Sequence, residues 1–396
     1  NRIMDELYDL GADITHVGSR ALEFIGDQQL LYRTILWSRL AMRLLRPFAA
    51  FYAPDEKALY REVSRIDWQD FLGPGQTFAI TAVVHKSSFE HSLFVAQLTK
   101  DAIVDQFRHR TGSRPSVDVR NPDVRLHLRM LENEVILSMD AAGESLHRRG
   151  YRQATNDAPL NEVLAAGLVL LSGWDGKKPL LDPMCGSATI LTEAGLMAQR
   201  VAPGLFHQGK FGFENWYDFD ADLWQHLREE AQGLRIEEPQ AYLAGSDLDP
   251  KVIQQAAQNI EAAGLDECIR LSVRDVRDAT PPRNQPPGII ITNPPYRDGL
   301  ADAFTRHALK LADGRPDAFL FESVEGGERW ARYSMIGLPA REVATIRDHH
   351  LTIRRDGAPV PGGGNMAAPV LAQVIAGNIV TGDAALALMD AGVPIK

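Results

Sequence analysis

An alternation of short apolar runs with helical patterns, in the second half of the sequence, constrains the fold more than any other feature. Strands are predicted at residues 178–182, 241–247, 269–274 and 288–292. The spacing of apolar residues predicts helices at residues 161–172, 189–199 and 251–263. Strands that alternate with helices form a parallel, doubly wound sheet, whose ligands bind at the carboxyl ends of the strands. We therefore predict an α/β domain with its site at those ends.

Carboxylates follow the first three of these strands. Asp182 opens the turn Asp182-Pro183-Met184-Cys185-Gly186-Ser187, in which Gly186 allows the backbone to approach a ligand closely. Asp247 can accept hydrogen bonds from both hydroxyls of a ribose, and Asp275 can accept one from an adenine amino group. Taken singly, each of these carboxylates is more often a helix cap or a surface residue than a ligand. Asp249, which stands before a proline, is predicted to cap the next helix.

The fourth strand runs into Asn293-Pro294-Pro295-Tyr296, where two prolines fix the chain and remove two backbone donors. The Asn293 side-chain oxygen and the Pro294 carbonyl can both accept hydrogen bonds from one NH₂ group, while the Tyr296 ring can stack on a base. An amine held in this way keeps its nitrogen lone pair directed at a sulfonium methyl group. Two prolines alone also fit a rigid turn after a buried strand. With Asn before them and Tyr after them, the pattern favours methylation of an exocyclic amine on a nucleobase.

The charge of the chain limits how it can hold a nucleic acid. A net charge of −10 argues against binding by bulk electrostatics, so any RNA contact has to be local. One arginine-rich stretch between residues 108 and 152 is a candidate RNA-binding patch. Its candidate contacts are Arg114, Arg120, Arg125, Arg148, Arg149 and Arg152, with Arg108, Arg110 and Arg129 nearby. The alternative is a solvated surface of mixed charge.

The composition excludes several other classes of protein. The 396 residues, 45% of them hydrophobic and 24% charged, are typical of two or three globular domains. The sequence has no apolar run long enough to span a bilayer and no signal-peptide pattern. Its only two cysteines, Cys185 and Cys268, are too few and too distant for a disulfide framework or a zinc site. We therefore expect a cytoplasmic protein without a metal or a membrane partner.

The first half has a different pattern and is predicted to form an α+β domain that ends near Arg152. Helices are predicted at residues 28–45 and 93–107, and strands at 78–84, 117–119, 123–131 and 134–141. The last two strands are separated only by Glu132 and Asn133, which predicts a tight hairpin.

Several motifs give the sequence a family resemblance. Residues from about 3 to about 278, together with the Asn-Pro-Pro-Tyr motif, resemble the bacterial 23S rRNA guanine-N2 methyltransferase family, which carries a ferredoxin-like and THUMP region before a Rossmann-like methyltransferase domain. The matching motifs are Leu36-Trp37-Ser38-Arg39-Leu40, Asp101-Ala102-Ile103-Val104-Asp105, Arg114-Pro115, Leu146-His147-Arg148-Arg149-Gly150-Tyr151-Arg152, Ala158-Pro159-Leu160, Leu181-Asp182-Pro183-Met184-Cys185-Gly186-Ser187, Ala202-Pro203-Gly204-Leu205 and Gly245-Ser246-Asp247.

The resemblance implies a division of the chain and a role for each site residue. Residues 1–155 would be the ferredoxin-like and THUMP region that grips RNA, 156–314 the methyltransferase domain, and 315–396 an atypical C-terminal segment. The cofactor would be S-adenosylmethionine, and the partner 23S rRNA or a precursor of the large ribosomal subunit. In the cofactor site Asp182, Pro183 and Gly186 would line the methionine end, Asp247 the ribose and Asp275 the adenine. The target guanine amine would be held by Asn293, Pro294, Pro295 and Tyr296.

Several features depart from this resemblance, among them one in the cofactor loop and one at the end of the sheet. Ala188 stands where the family has a second glycine in the cofactor loop. Residues 317–355 instead resemble the N-terminal part of anthranilate synthase component I, so the expected last strands of the sheet are replaced.

Two alternatives to an rRNA enzyme therefore stay open. One is a methyltransferase of adenine or cytosine amines in DNA, since Asn-Pro-Pro-Tyr serves any exocyclic amine. The other is a non-catalytic RNA-binding protein with an incomplete methyltransferase fold.

Overall fold

The computed structural model describes residues 2–18, 21–154, 160–279, 285–286 and 288–293, together with the backbone of six short strands further along the chain. The chain divides into two compact units. The first contains Asn1–Gly150 and Val201–Arg235, and the second contains Tyr151–Arg200 and Ile236–Lys396. The predicted division instead placed residues 201–235 with the methyltransferase domain (156–314) and treated residues 315–396 as a separate segment. Within the described residues, no helix is long and apolar enough to cross a membrane.

The first unit begins with α1 (Arg2–Asp9), a hairpin of β1 (Asp13–Val17) and β2 (Leu22–Ile25), and α2 (Gln28–Trp37). The prediction of one helix from residue 28 to 45 was too long. Helix α2 ends because the Glu6 carboxylate accepts hydrogen bonds from the Ser38 hydroxyl (3.0 Å) and from the Leu40 amide (3.3 Å), which holds the next residues out of the helix. The leucines beyond this point have helical spacing, but the chain there enters strand β3 (Leu45–Tyr52).

A five-stranded sheet forms the centre of the first unit, with the order β3-β7-β6-β4-β5. Its other strands are β4 (Thr77–His85), β5 (Ser116–Val117), β6 (Val124–Leu131) and β7 (Glu134–Asp140). Strand β4 runs parallel to β5 and β6, while β7 is antiparallel to both of its neighbours. The predicted hairpin is confirmed: β6 and β7 are joined by Glu132 and Asn133, which have φ values of 50° and 68°, as primed turns require.

Helices cover one face of this sheet. Helices α3 (Glu56–Arg65) and α4 (Ser92–Thr111) pack against each other and against the sheet. Strand β6 alternates strictly, since Leu126 and Leu128 are fully buried in the core whereas Arg125 and His127 face the other way. The sheet therefore has a buried face and an opposite face without this helical layer.

The second unit is the predicted parallel α/β fold. Its elements are α5 (Glu162–Leu171), β8 (Leu180–Asp182), α6 (Thr189–Ala198), β9 (Leu243–Asp247), α8 (Pro250–Ala262), β10 (Ile269–Val273) and β11 (Ile289–Ile290). The four strands β8 to β11 form one parallel sheet, in the order β10-β9-β8-β11. From β8 the chain adds β9 and then β10 on one side, whereas β11 lies on the other side of β8. The direction in which successive strands are added therefore reverses at β8. Helix α7 (Ala221–Gly233), between α6 and β9 in sequence, belongs to the first unit.

Aromatic packing explains why residues 201–235 join the first unit. The Tyr32 ring of α2 lies 4.4 Å from the Phe213 ring and 5.7 Å from the Trp224 ring, measured between centroids. The Tyr32 hydroxyl also accepts a hydrogen bond from the Asp220 amide at 3.0 Å. Because these rings lose almost all contact with water, the segment completes the core of the first unit.

Beyond residue 314 the structure describes six short strands by their backbone. They are β12 (Phe319–Phe321), β13 (Met335–Gly337), β14 (Glu342–Arg347), β15 (His350–Arg355), β16 (Ala358–Pro359) and β17 (Gly364–Asn365). Strand β12 pairs with β13, and β15 pairs with β14, β16 and β17, all antiparallel. The rest of this segment lies outside the described residues. Its resemblance to anthranilate synthase component I stays a prediction.

Candidate cofactor and amine site

The candidate site lies where the strand order of the parallel sheet reverses. Strand β8 pairs with β9 through Asp182 and Gly245, and with β11 through Leu181 and Ile290. In such sheets the crevice between two strands whose connections run in opposite directions is the usual place for a ligand. The pairing brings Asp182 and Asn293 to the carboxyl ends of neighbouring strands. Pro294, Pro295 and Tyr296, which complete the predicted amine-binding motif, lie outside the described residues.

Asp182 is a buried carboxyl group, with 1% of its surface exposed. The Met184 amide donates a hydrogen bond of 3.3 Å to its Oδ1. Burial raises the pKa of Asp182 to about 7, and the nearby Asp247 carboxylate adds to the increase. At neutral pH the group is therefore divided between its two protonation states. A cation bound beside it would favour the carboxylate.

Asp247 at the end of β9 links the two loops of the site. Its Oδ2 accepts a hydrogen bond from the Gly186 amide at 3.1 Å, and its Oδ1 accepts one from the Asp249 amide at 3.2 Å. Gly186 itself has a φ of 54°, a left-handed conformation that favours glycine. The predicted residues Gly186 and Asp247 are thus joined directly.

Tight packing beneath the loop depends on Gly245 and Leu191, to which the sequence analysis assigned no role in the site. A Cβ atom on Gly245 would lie 3.1 Å from Cys185 Cβ and would overlap the Leu191 side chain. The Cys185 amide also donates to the Ser246 carbonyl at 2.9 Å. A glycine inside a strand is a sequence signal for such a close approach, and Gly245 could have been found in this way.

Ala188 closes the same loop in a left-handed conformation, with φ 62° and ψ 27°. This is the position at which the resembled family has glycine, and the backbone here retains the geometry that glycine favours. Ala188 is fully buried, at the N-terminus of α6. The loop therefore keeps its turn despite the added methyl group.

Two further carboxylates lie near the same edge of the sheet. Asp249 caps α8, as predicted, by accepting a hydrogen bond from the Lys251 amide at 2.8 Å. Asp275 follows β10 and accepts hydrogen bonds from the Arg277 amide (2.9 Å) and from its Nε (3.0 Å). Asp275 is thus held by Arg277, a partner that the sequence analysis did not include. If Asp275 contacts the adenine amino group, its carboxylate would accept that hydrogen bond while still paired with Arg277.

The polar groups at this edge fit S-adenosylmethionine. The buried Asp182 carboxyl group matches the cofactor's ammonium group, and Asp247, only partly buried, matches a pair of ribose hydroxyls. The left-handed turn at Gly186 lets main chain run close to a ligand. Within the described residues, no three His, Cys, Asp or Glu side chains are grouped as a metal site.

The arginines predicted to bind RNA fall into two groups. Arg149 is buried and donates to the carbonyls of Leu146 (2.9 Å) and Arg39 (2.6 Å). Arg125 is half-buried and donates from Nε to the Gly143 carbonyl at 2.7 Å. Arg114, Arg120 and Arg148 are exposed. An RNA contact needs a guanidinium group that is open to solvent, whereas main-chain carbonyls hold those of Arg149 and Arg125 within the protein.

Arg152 has a different place from the one predicted. Its guanidinium donates to Glu162 Oε1 at 2.7 Å, to Ser187 Oγ at 3.3 Å and to Thr189 Oγ1 at 3.1 Å. Ser187 and Thr189 belong to the loop that leads from β8 into α6. These hydrogen bonds stabilise the candidate cofactor loop, and the Arg152 side chain is mostly buried.

Asn259 is a second brace that the sequence analysis missed. Its Oδ1 accepts hydrogen bonds from the amides of Gln153 (2.8 Å) and Ala154 (3.0 Å). Its Nδ2 donates to the carbonyls of Ala154 (3.0 Å) and Ser187 (3.2 Å). The side chain is fully buried on α8 beside Ala256 and Ile260. An asparagine on the apolar stripe of a helix was the signal that could have found it.

Comparison with known proteins identifies three domains. Residues 3–45 match the RlmL ferredoxin-like domain, residues 53–140 the THUMP domain, and residues 149–311 the RMKL-like methyltransferase domain. A protein of Synechocystis sp. named as a candidate RNA methyltransferase is 43% identical over 291 residues, which cover 74% of this chain and 75% of that protein.

Solved structures agree with these domain matches. A predicted N6-adenine-specific DNA methylase from Listeria monocytogenes is 27% identical with a TM-score of 0.71, over 85% of this chain and 92% of that one. SMU.472, a candidate methyltransferase solved in complex with SAH, is 25% identical with a TM-score of 0.73, over 86% of this chain and 95% of that one.

Proposed function

Because the chain belongs to the family of THUMP-containing RNA methyltransferases, we propose that it transfers a methyl group from S-adenosylmethionine to the exocyclic N2 amine of a guanine in 23S rRNA. The substrate would be the rRNA itself or a precursor of the large ribosomal subunit, in the cytoplasm. The observation that carries the proposal is the position of Asn293 and Asp182 on neighbouring strands at the reversal of the sheet.

The cofactor-binding residues would act through charge and shape. Asp182 would accept hydrogen bonds from the ammonium group of the methionine moiety, and Asp247 would hold the ribose hydroxyls. Pro183 and Gly186 would form the wall of the loop, and Asp275 would accept from the adenine amine. The cofactor, when bound, supplies a methyl group on a positively charged sulfur. These residues would fix where that methyl group points.

The amine-binding residues would act by positioning. Asn293 and the Pro294 carbonyl would accept the two N–H groups of the guanine amine, which leaves its lone pair facing the methyl group. Pro295 would stiffen the turn and Tyr296 would stack on the base. Alignment of reacting groups of this kind can lower a barrier by up to about 7 to 11 kcal/mol, so the proposed chemistry requires no strong base before transfer.

One experiment tests the proposal against its alternatives. The protein is incubated with radiolabelled S-adenosylmethionine and, in separate reactions, with 23S rRNA, assembled large subunits or DNA, and the products are digested and identified as nucleosides. We expect label in N2-methylguanosine. Label in adenine or cytosine of DNA would support the second candidate, which the name of the Listeria protein favours. No label with any substrate, while RNA is still bound, would support a non-catalytic RNA-binding protein.

A further inference from the structure

Thr292 is a buried polar residue between the two proposed binding motifs. It follows strand β11 and directly precedes Asn293, and only 1% of its surface is exposed. Among the residues that the structure describes, no partner lies at hydrogen-bond geometry from Thr292 Oγ1. Burial of a hydroxyl group without a hydrogen bond is unfavourable, so this position calls for a physical reason.

The main chain fixes Thr292 beside Asp182. Ile290 pairs with Leu181 across the parallel strands, and the Ile291 amide donates to the Leu181 carbonyl at 3.0 Å. The Thr292 hydroxyl interacts with the Asp182 carboxyl group and lowers the pKa of that group. The contact nevertheless falls short of a full hydrogen bond. Thr292 is therefore a donor that lies close to Asp182 without being fully bonded to it.

The other groups around Asp182 do little to stabilise a carboxylate. The Met184 amide donates to it at a long 3.3 Å, and the acidic Asp247 disfavours a second negative charge. No lysine, arginine or histidine charge acts on Asp182 within the described parts of the chain. An ammonium group bound beside Asp182 would ionise it, and the carboxylate would then accept a further hydrogen bond. The Thr292 hydroxyl is placed to donate it.

We propose that Thr292 is a positioning residue that couples the cofactor site to the amine site. When the cofactor's ammonium group ionises Asp182, whose proton passes to solvent, the Thr292 hydroxyl completes its hydrogen bond to the carboxylate. The adjoining Asn293 moves with it into the position that binds the target amine. The inference rests on the proposed function, since it assumes that S-adenosylmethionine binds here. By linkage, a bound amine would in turn strengthen cofactor binding.

Two ligands and three variants test this coupling. S-adenosylhomocysteine carries the ammonium group, whereas methylthioadenosine has the same nucleoside without it. Thr292→Val removes the hydroxyl at nearly constant volume, and Thr292→Ser keeps it. Thr34→Val, on α2, is the matched control, because Thr34 is also 1% exposed and its hydroxyl also has no partner among the described residues.

The position of Asn293 is followed by nuclear magnetic resonance of its side-chain amide, in protein that carries isotopically labelled asparagine. The signal is identified by its absence from Asn293→Ala. Calorimetry measures the affinity for each ligand, and thermal unfolding checks that each variant folds. Neither measurement needs RNA or methyl transfer.

In the wild type, S-adenosylhomocysteine should shift the Asn293 signal and methylthioadenosine should not. Thr292→Val should lose this shift and bind S-adenosylhomocysteine about threefold to tenfold more weakly, because a hydrogen bond to a charged group is lost. Its affinity for methylthioadenosine should stay within about twofold. Thr292→Ser and Thr34→Val should behave like the wild type.

Three results would overturn the inference and leave the proposed function standing. They are the same shift of the Asn293 signal with both ligands, a shift that survives in Thr292→Val, and an equal loss of affinity for both ligands in that variant. Thr292 would then have a purely structural role in a site that still binds the cofactor. If the wild type binds neither ligand, the proposed function fails, and the coupling fails with it.

Discussion

Asp182 is a buried carboxyl group of the candidate cofactor site, and its pKa is raised. Its folded pKa of about 7 lies above its ordinary value of 3.8, so between these values the folded chain retains a proton that the unfolded chain has lost. The contribution of this group to stability is therefore present at low pH and is lost as the pH rises through that window. In the Asp182→Asn variant this part of the pH dependence should be absent from the free energy of unfolding measured in urea.

The same group should release a proton when the cofactor binds. An ammonium group beside the Asp182 carboxylate lowers its pKa, so at pH 7 a substantial fraction of sites should lose a proton on binding. Calorimetry in two buffers of different ionisation enthalpy measures this directly. The binding enthalpies should differ between the buffers at pH 7, and the part of that difference due to the Asp182 proton should be missing from the Asp182→Asn variant, which has no carboxyl proton to release. An identical buffer dependence for both proteins would remove Asp182 from the cofactor site.

Asn293 should matter for transfer and little for cofactor binding. Asn293→Ala should lower kcat by about two to three orders of magnitude, because one acceptor of the target amine is lost. Cofactor affinity, measured by calorimetry, should stay within about twofold. Asn121→Ala, a change at an exposed position of the first unit, is the matched control. Undiminished transfer by Asn293→Ala would show that this side chain does not hold the amine.

At the scale of elements, a buried brace joins α8 to the cofactor loop. Asn259→Ala would leave the amides of Gln153 and Ala154 and the carbonyl of Ser187 without their partner. Each unsatisfied buried group costs about 1 to 3 kcal/mol, so the variant should lose about 3 kcal/mol or more in urea unfolding. The neighbouring change Gln258→Ala, at an exposed position of α8, should cost less than about 0.5 kcal/mol. Equal losses for both variants would rule out the brace.

The elements also show what sequence patterns can predict. The parallel sheet and the β6–β7 hairpin were predicted because alternation, turn residues and glycine are local signals. The end of α2 was not, because it depends on the Glu6 carboxylate, which is distant in sequence and reaches Ser38 only in the folded chain. Arg152 was misjudged for the same reason. An arginine in a basic run resembles a surface group until its partner Glu162 is located.

At the scale of the whole molecule, a net charge of −10 sets how RNA binding responds to salt. An acidic protein with a local basic surface neutralises few phosphates. We expect the logarithm of the RNA affinity to fall with the logarithm of the salt concentration with a slope of about −2 to −4, typical of about three to five phosphate contacts with a single strand. Anisotropy titrations at several salt concentrations measure the slope. A slope steeper than about −7 would contradict purely local binding.

The division into units was only partly accessible from the sequence. The order of domains follows from motifs and is confirmed by the THUMP and methyltransferase matches. The return of residues 201–235 to the first unit was not predicted, because it is decided by tertiary packing of aromatic rings such as Phe213 and Trp224 on Tyr32. Those rings have no periodicity that assigns them to one core or the other.

This return of the chain has a consequence for protein synthesis. At about 5 to 20 residues per second, Tyr32 leaves the ribosome well before Phe213 and Trp224, and residues 151–200 emerge in between. The aromatic core of the first unit therefore stays open in the nascent chain while β8 and α6 are already outside the exit tunnel. Translation pauses or truncations between residues 150 and 235 would leave this apolar surface exposed as a target for chaperones and proteases.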